Sequence, residues 1–452
     1  MSSEAPSPEE FKAIREGIRA KLIGTESKQG VKTYQASAYN AETILTNDPQ
    51  WAGKIELNIM TGDVTYNRRN VSDLIQDFMV VCHPIYGINY TSADIVKNSL
   101  MHVARNFQYN PVADYLKSLK WDGRDRLPEL MKKLGIEEDN EYYGLYTEYL
   151  RKWTVAAVAR AVNPGCKADA VLVFIGEEGI GKSTFFKVLA GTSKQGEDWF
   201  NDTPVSDDKD SYMLLRSFWI HELGEVDYMM RKSDNSKIKA FLTSCSDTYR
   251  SPYARKMETV KRSFIVCASS NRENLLSDFS GEGRRWWVMP IQTDFDALME
   301  WTRANRDQIW AQAKALYDTN PDSSLAPEFR DIRKKSNEAH RKQSSLEEVL
   351  LDLLPKLAWM AKNNKTDTKI YPGIRSKDIM SEVINHDFGK QVTSGTASHS
   401  LPSLIVTYLK SFGWYSKKRD GFNYWTPGVV PSHLPQNIND GYEPLDDYDD
   451  AK

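Results

Sequence analysis

The chain has 452 residues, 40% apolar and 27% charged, an ordinary soluble globular composition with room for roughly two to four domains. Its apolar runs fall far short of the roughly 20 residues of a membrane span, and Met1-Ser2-Ser3-Glu4 opens no signal-peptide core. A soluble, cytoplasmic protein with no membrane partner is therefore expected, and the net charge of −3 by itself says nothing for nucleic acid.

In chain order, residues 1–30 read as one helix. Ser7 would cap it, Pro8 fits the first turn, Glu10 closes a capping box, and Phe11, Ile14, Ile18 and Leu22 recur at helical spacing. Asn40 is expected to cap a short helix over Ala41–Thr46. A strand-turn-strand follows over 55–59 and 64–66, then helices near 71–80 and 92–106. No closely spaced pair of carboxylates on a strand occurs here, which argues against a polymerase or primase site. Four scattered cysteines (Cys82, Cys166, Cys245, Cys267) and seven dispersed histidines argue against a disulfide scaffold and a zinc cage. Any metal is expected to be Mg2+ brought by a nucleotide.

From 146 the pattern changes. An apolar helix to Val162 leads into the buried-strand run Ala170–Ile175, and two further strand runs follow at 217–223 and 263–269, alternating with helices. That alternation predicts an α/β parallel sheet. A long helix is expected over 295–317, then a polar linker region around a charged helix within 321–345.

Gly176-Glu177-Glu178-Gly179-Ile180-Gly181-Lys182-Ser183 fits G-x-x-x-x-G-K-[ST] in full, between a strand and the helix that begins with Thr184. Gly176, Gly179 and Gly181 let backbone N–H groups converge on phosphate oxygens, Lys182 would reach the outer phosphates, and Ser183 would ligand Mg2+. The second strand run ends in Glu222, with Glu225 three residues on. Glu222 is assigned to the metal and Glu225 is held as candidate base, although the two roles could exchange and Glu225 could simply cap a segment. The third run ends in Asn271, suited to orienting a water against the terminal phosphate. Then come Arg284 and Arg285, either a finger for a neighbouring subunit's nucleotide or a surface pair stacked on tryptophan. Between the second and third strands, 249–262 carries Arg250, Tyr253, Arg255, Lys256 and Lys261: a DNA-contacting hairpin or a solvated charged one.

This order of parts within 176–287 resembles the superfamily 3 helicase type of AAA+ ATPase, and more closely the virulence-associated E family of phages, satellites and genomic islands. The lead-in Pro111-Val112-x-x-Tyr115-Leu116 and Trp121-Asp122-Gly123-Arg124-Asp125-Arg126-Leu127 matches that family as well, so the resemblance covers about 40–320. It implies ATP hydrolysis by a ring, commonly a hexamer, with Arg285 acting in trans and Lys256 and its neighbours lining a DNA pore in a bacterial cytoplasm. One departure is Leu223 after Glu222, where many members of the wider superfamily carry a second acid; the base is left open.

Helices at 346–360, 375–384 and 403–412, then a basic aromatic hairpin over 413–425 with an Asp-Gly turn, suggest a winged-helix-like domain over 346–430. It could bind DNA or a protein. The last residues, from Asn439, carry Asp440, Glu443, Asp446, Asp447, Asp449 and Asp450 against one lysine, an acidic tail within 431–452. The organisation expected is an N-terminal mixed α+β region (1–145) for oligomerisation or DNA entry, a P-loop core (146–320), a linker (321–345), the small domain and the tail. The leading reading is a DNA-dependent ATPase, a ring helicase on single-stranded or forked DNA, with a separate primase as partner. The alternatives are a regulatory ATP switch that does not unwind and a small-molecule P-loop kinase.

Overall fold

The computed structural model describes residues 7–70, 73–204, 209–224, 235–249, 257–271, 282–340, 345–363, 365–366, 369–370, 373–386, 401–419 and 421–429. Two compact units emerge, a larger one reaching to His340 and a smaller one from Arg341.

The larger unit begins with the helix Pro8–Lys21, whose capping box between Ser7 and Glu10 is formed as the sequence predicts. The helix does not run to residue 30. It stops at Leu22, and the chain turns into an antiparallel hairpin, Gly24–Glu26 against Lys32–Tyr34. The expected role of Asn40 is also corrected. Ser37 caps the helix Ala38–Asn47, while Asn40 is fully buried inside it, binding Ile23 N and O and Gln35 O. An amide with donor and acceptor can satisfy two strand ends at once, so tertiary demand removed it from the cap. The helices Leu74–Tyr86 and Ala93–Ala104 and a three-stranded sheet, Val64–Tyr66, Ile55–Asn58, Gln108–Tyr109, complete this part around Trp51, Phe78 and Leu100.

The second core of the larger unit is a five-stranded, wholly parallel sheet. Its spatial order is Trp286–Pro290, Val171–Ile175, Ile265–Ser270, Ile220–Leu223, Phe200–Asn201. Every residue of Val171–Ile175 is buried, as a central strand covered on both faces must be. The helix Tyr143–Val162 is buried along almost its whole length. Its Trp153 indole donates to Val266 O at 2.9 Å, and the indole of Trp219 donates to Ala157 O at 2.9 Å. The helix Phe295–Thr319 packs against Tyr143–Val162 and against Lys182–Ala190, where Trp310 donates to Leu189 O. These three tryptophans seal the core because the N–H of each finds a carbonyl.

The lead-in motif is a brace for this arrangement. Asn110 caps the helix Pro111–Ser118 and donates to Ala161 O. Arg126 pairs with Asp122, holding that carboxyl down at about 2, and its backbone N–H bonds Gln312 on the long helix. The stretch read as a linker carries the helix Arg330–Ala339, which belongs to the larger unit and packs against Trp286–Pro290.

The smaller unit holds the helices Ser345–Lys362, Ser376–Asn385 and Leu401–Ser411 and a three-stranded antiparallel sheet ordered Ile374–Arg375, Phe422–Thr426, Tyr415–Arg419. Its own core includes Leu354, Leu357, Ile379, Leu409, Trp414 and Trp425.

Candidate functional site

The P-loop follows a central strand directly and turns into the helix Lys182–Ala190 at Gly181, whose φ of +95° leaves little choice but glycine. A Cβ there would also stand 2.6 Å from the ring of Phe295. Gly179 has φ +83° but faces open space, and Gly176 donates its N–H to Ser270 O. The loop is thus held at both ends and open in the middle, at a helix N-terminus, where an anion is favoured.

Lys182 is 7% exposed. Its Nζ donates to Gly176 O (2.9 Å), Glu177 O (2.6 Å) and Asn271 Oδ1 (2.7 Å), so the amine is poised across the loop with no carboxylate attached among the described residues. Burial lowers its pKa, partly opposed by the charges of Glu178 and Glu222. Asn271 is in place because Ile265–Ser270 runs between the loop strand and the Glu222 strand.

Ser183 Oγ donates to Glu222 Oε1 at 2.8 Å, and Ser269 Oγ donates to the same oxygen. The two hydroxyls lie 3.2 Å apart. Glu222 is 2% exposed, and its other oxygen, Oε2, is buried with no hydrogen-bond partner among the described residues. Burial raises its pKa against the two serine bonds, and Asp202 pushes it further up. A buried carboxylate oxygen left open beside the loop serine fits a hard divalent cation arriving with a phosphate ligand. Among the described residues there is no cluster of three or more acidic, His or Cys side chains that would hold a metal alone. Thr184, next on the helix, is half-buried. The neighbouring His221 is fully buried and kept neutral, its pKa pushed down to about 4 by burial.

Arg284 and Arg285 are not part of this cluster. Trp286 pairs with Val171 and Pro290 with Ile175, so the arginines precede their strand at the end of the sheet away from the loop. A strand of five residues separates the two ends, about 16 Å at roughly 3.3 Å per residue. Both face Asp169, at 4.0 and 3.7 Å; the Arg284 side chain is 56% exposed and that of Arg285 only 12%. Glu225, Arg250, Tyr253, Arg255 and Lys256 lie outside the described residues. The stem of the expected hairpin is present, Ser246–Tyr249 against Glu258–Lys261, with Lys261 exposed at its base. Arg262 pairs with Asp247 beneath it, and Arg216 ties Tyr249 to Ile59 O.

Ser269 and Asp202 also act on Glu222 and were not among the residues expected from the sequence. Ser269 had one signal, its place two residues before Asn271 on the same face of a strand. Asp202 had none, because only the fold brings the Phe200–Asn201 strand beside Glu222.

The virulence-associated protein E-like domain model matches residues 116–342, half of the chain. The chain belongs to the virulence-associated E-like family. The matched stretch contains the loop, Glu222, Asn271 and the arginine pair. No curated protein matches this family member. Solved structures similar to it include the apo C-terminal region of NrS-1, 14% identical, with 83% of this chain and 96% of that one covered and a TM-score of 0.47. An A-form apo structure of the same region is 15% identical over the same shares, at 0.44.

Proposed function

We propose that the chain is an ATP-hydrolysing DNA motor, a helicase that works as a ring of identical subunits, commonly six, in replication of a phage or other mobile element. One observation carries the reading. The phosphate-loop cluster and the arginine pair sit at opposite ends of one parallel sheet, so a single subunit offers two halves of a site facing apart. A head-to-tail contact brings such halves together and, when it closes, makes a ring.

The substrate is ATP. The N–H groups of Gly176–Ser183 would cradle its phosphates, and Lys182 would exchange the carbonyls of Gly176 and Glu177 for phosphate oxygens. Ser183 and the free Oε2 of Glu222 would hold Mg2+, which offsets phosphate charge when bound. Asn271, beside Lys182, would orient the attacking water, with Glu225 or Glu222 accepting its proton. Arg284 or Arg285 would reach the neighbour's terminal phosphate, and exposure favours Arg284. Lys261 with Arg250, Tyr253, Arg255 and Lys256 would track one DNA strand from the hairpin. The smaller unit, with three helices and an antiparallel hairpin carrying Lys417 and Lys418, would serve as a winged helix on duplex DNA. A separate primase remains the expected partner.

The full-length chain, with ATP, Mg2+ and a forked DNA, tests this. Single-stranded DNA is expected to stimulate phosphate release severalfold and the fork to be separated. Unaltered hydrolysis with DNA present, or a strict monomer with ATP, would sink the motor.

A further inference from the structure

The turn that carries the arginine pair is pinned at four successive carbonyls. Asn337 Nδ2 donates to Gly283 O (2.8 Å) and to Trp286 O (3.1 Å). The Trp287 indole donates to Arg284 O (3.2 Å), and the Val171 N–H to Arg285 O (2.7 Å). A Cβ on Gly283 would stand 2.9 Å from Asn337 Nδ2, so the clamp needs glycine there. Trp287 is itself stacked on Tyr149, ring centroids 5.1 Å apart and ring planes nearly parallel. Four bonds on four successive residues hold the backbone of the turn, which fixes where the arginine side chains leave it.

The clamp comes from the helix Arg330–Ala339, which also brings Arg333. Arg333 is half-buried; burial lowers its pKa, Tyr149 opposes that, and the nearby charges of Arg284 and Arg330 lower it further. Its Nε and that of Arg285 are both buried without a hydrogen-bond partner. Among the described residues, Arg330 and Arg333 have no ion pair, and Arg284 and Arg285 share only Asp169, at 4.0 and 3.7 Å. Asp331 on the same helix is 97% exposed and faces Lys334. Arginines that merely braced the fold would donate to carbonyls and carboxylates, as Arg216 does to Ile59 O and Arg262 to Phe241 O and Asp247. Half-buried guanidinium groups left short of acceptors call for an anion from elsewhere.

We infer that Arg333 joins Arg284 and Arg285 in a preorganised anion site at the rear edge of the sheet, whose ligand is the terminal phosphate of a nucleotide held in the loop of a second copy of this chain. Asn337 is the positioning residue of that site. The inference rests on the proposed split between loop and arginines, and it adds the helix after the motif-bearing core to the trans half.

Subunit mixing tests it on the full-length chain. Arg333→Ala is expected to lower kcat by about 10-fold or more and to leave binding of a fluorescent ATP analogue within about twofold. Lys182→Ala disables the loop and keeps the rear edge. An equal mixture of the two variants is expected to regain about a quarter of the wild-type rate, since one head-to-tail junction in four then pairs an intact loop with an intact edge. A misfolded Arg333→Ala subunit could not complement, so recovery also certifies its fold. A kcat within twofold of wild type overturns the inference, as does loss without recovery on mixing, which assigns Arg333 to its own subunit. Arg284→Ala mixed with Lys182→Ala separates the two levels. If that mixture recovers and the Arg333→Ala mixture does not, the split site stands and Arg333 is no part of it. If neither recovers, the split site falls and this inference with it.

Discussion

Lys182 Nζ lies 2.7 Å from Asn271 Oδ1, which joins the phosphate loop to the end of the strand beside it. Two residues 89 positions apart thus share one hydrogen bond at the point where a terminal phosphate would lie.

That bond separates two roles. Lys182→Ala is expected to lower kcat/KM for ATP by about 10²–10³-fold, the scale of losing one charge-stabilising donor. Asn271→Ala is expected to leave nucleotide affinity within about threefold and to lower kcat by roughly 10²-fold. Phosphate release and equilibrium binding, measured side by side, check both. Equal loss of affinity in the two variants would remove Asn271 from the chemistry.

Gly179 and Gly181 share a left-handed backbone but not their surroundings. Gly181→Ala meets the Phe295 ring at 2.6 Å and is expected to abolish nucleotide binding and cost several kcal/mol, flagged by a melting drop beyond about 5 °C. Gly179→Ala meets open space and carries only the strain of about 1–2 kcal/mol. Thermal melts with and without ATP distinguish them; equal destabilisation would contradict the packing.

Glu222 has its pKa raised by burial, above the ordinary value of 4.5. A raised folded pKa means that its favourable contribution is present at low pH and is lost as pH climbs through the folded value. Glu222→Gln, without nucleotide, is therefore expected to melt about 2–4 °C above wild type at pH 8, with the gap closing as pH falls toward 4. Hydrolysis should show the opposite preference, rising with pH as the carboxylate ionises and lost in the amide. A melting gap independent of pH would mean that Glu222 is not the titrating group.

Trp219 is fully buried between Trp199 and Trp310, and its indole holds Ala157 O. Trp219→Ala is expected to cost about 3–5 kcal/mol, more than enough to lower the yield of folded protein. Urea unfolding of the full chain reads it, and a loss under about 1 kcal/mol would place the indole outside the cooperative core.

Local chemistry was legible where one short segment contains its own reason. The capping box at Ser7 and Glu10, the strand before the loop and the apolar helix ending at Val162 all formed as read. What the residues alone determined is the α/β frame around Gly176–Ser183 and the family of its parts, because spacing and residue type act within a few residues.

Tertiary structure decided which parts meet. Asn40 left its cap because two strand ends needed its amide, and the helix did not reach residue 30. Ser269 and Asp202 joined Glu222 only when separate strands aligned. Arg284 and Arg285, near in sequence to Asn271, lie at the far end of the sheet, because a parallel crossover starts each strand at the same edge. That edge also received Asn337 and Arg333 from a stretch that reads as linker, since only packing against Trp286–Pro290 gives its polar residues anything to hold.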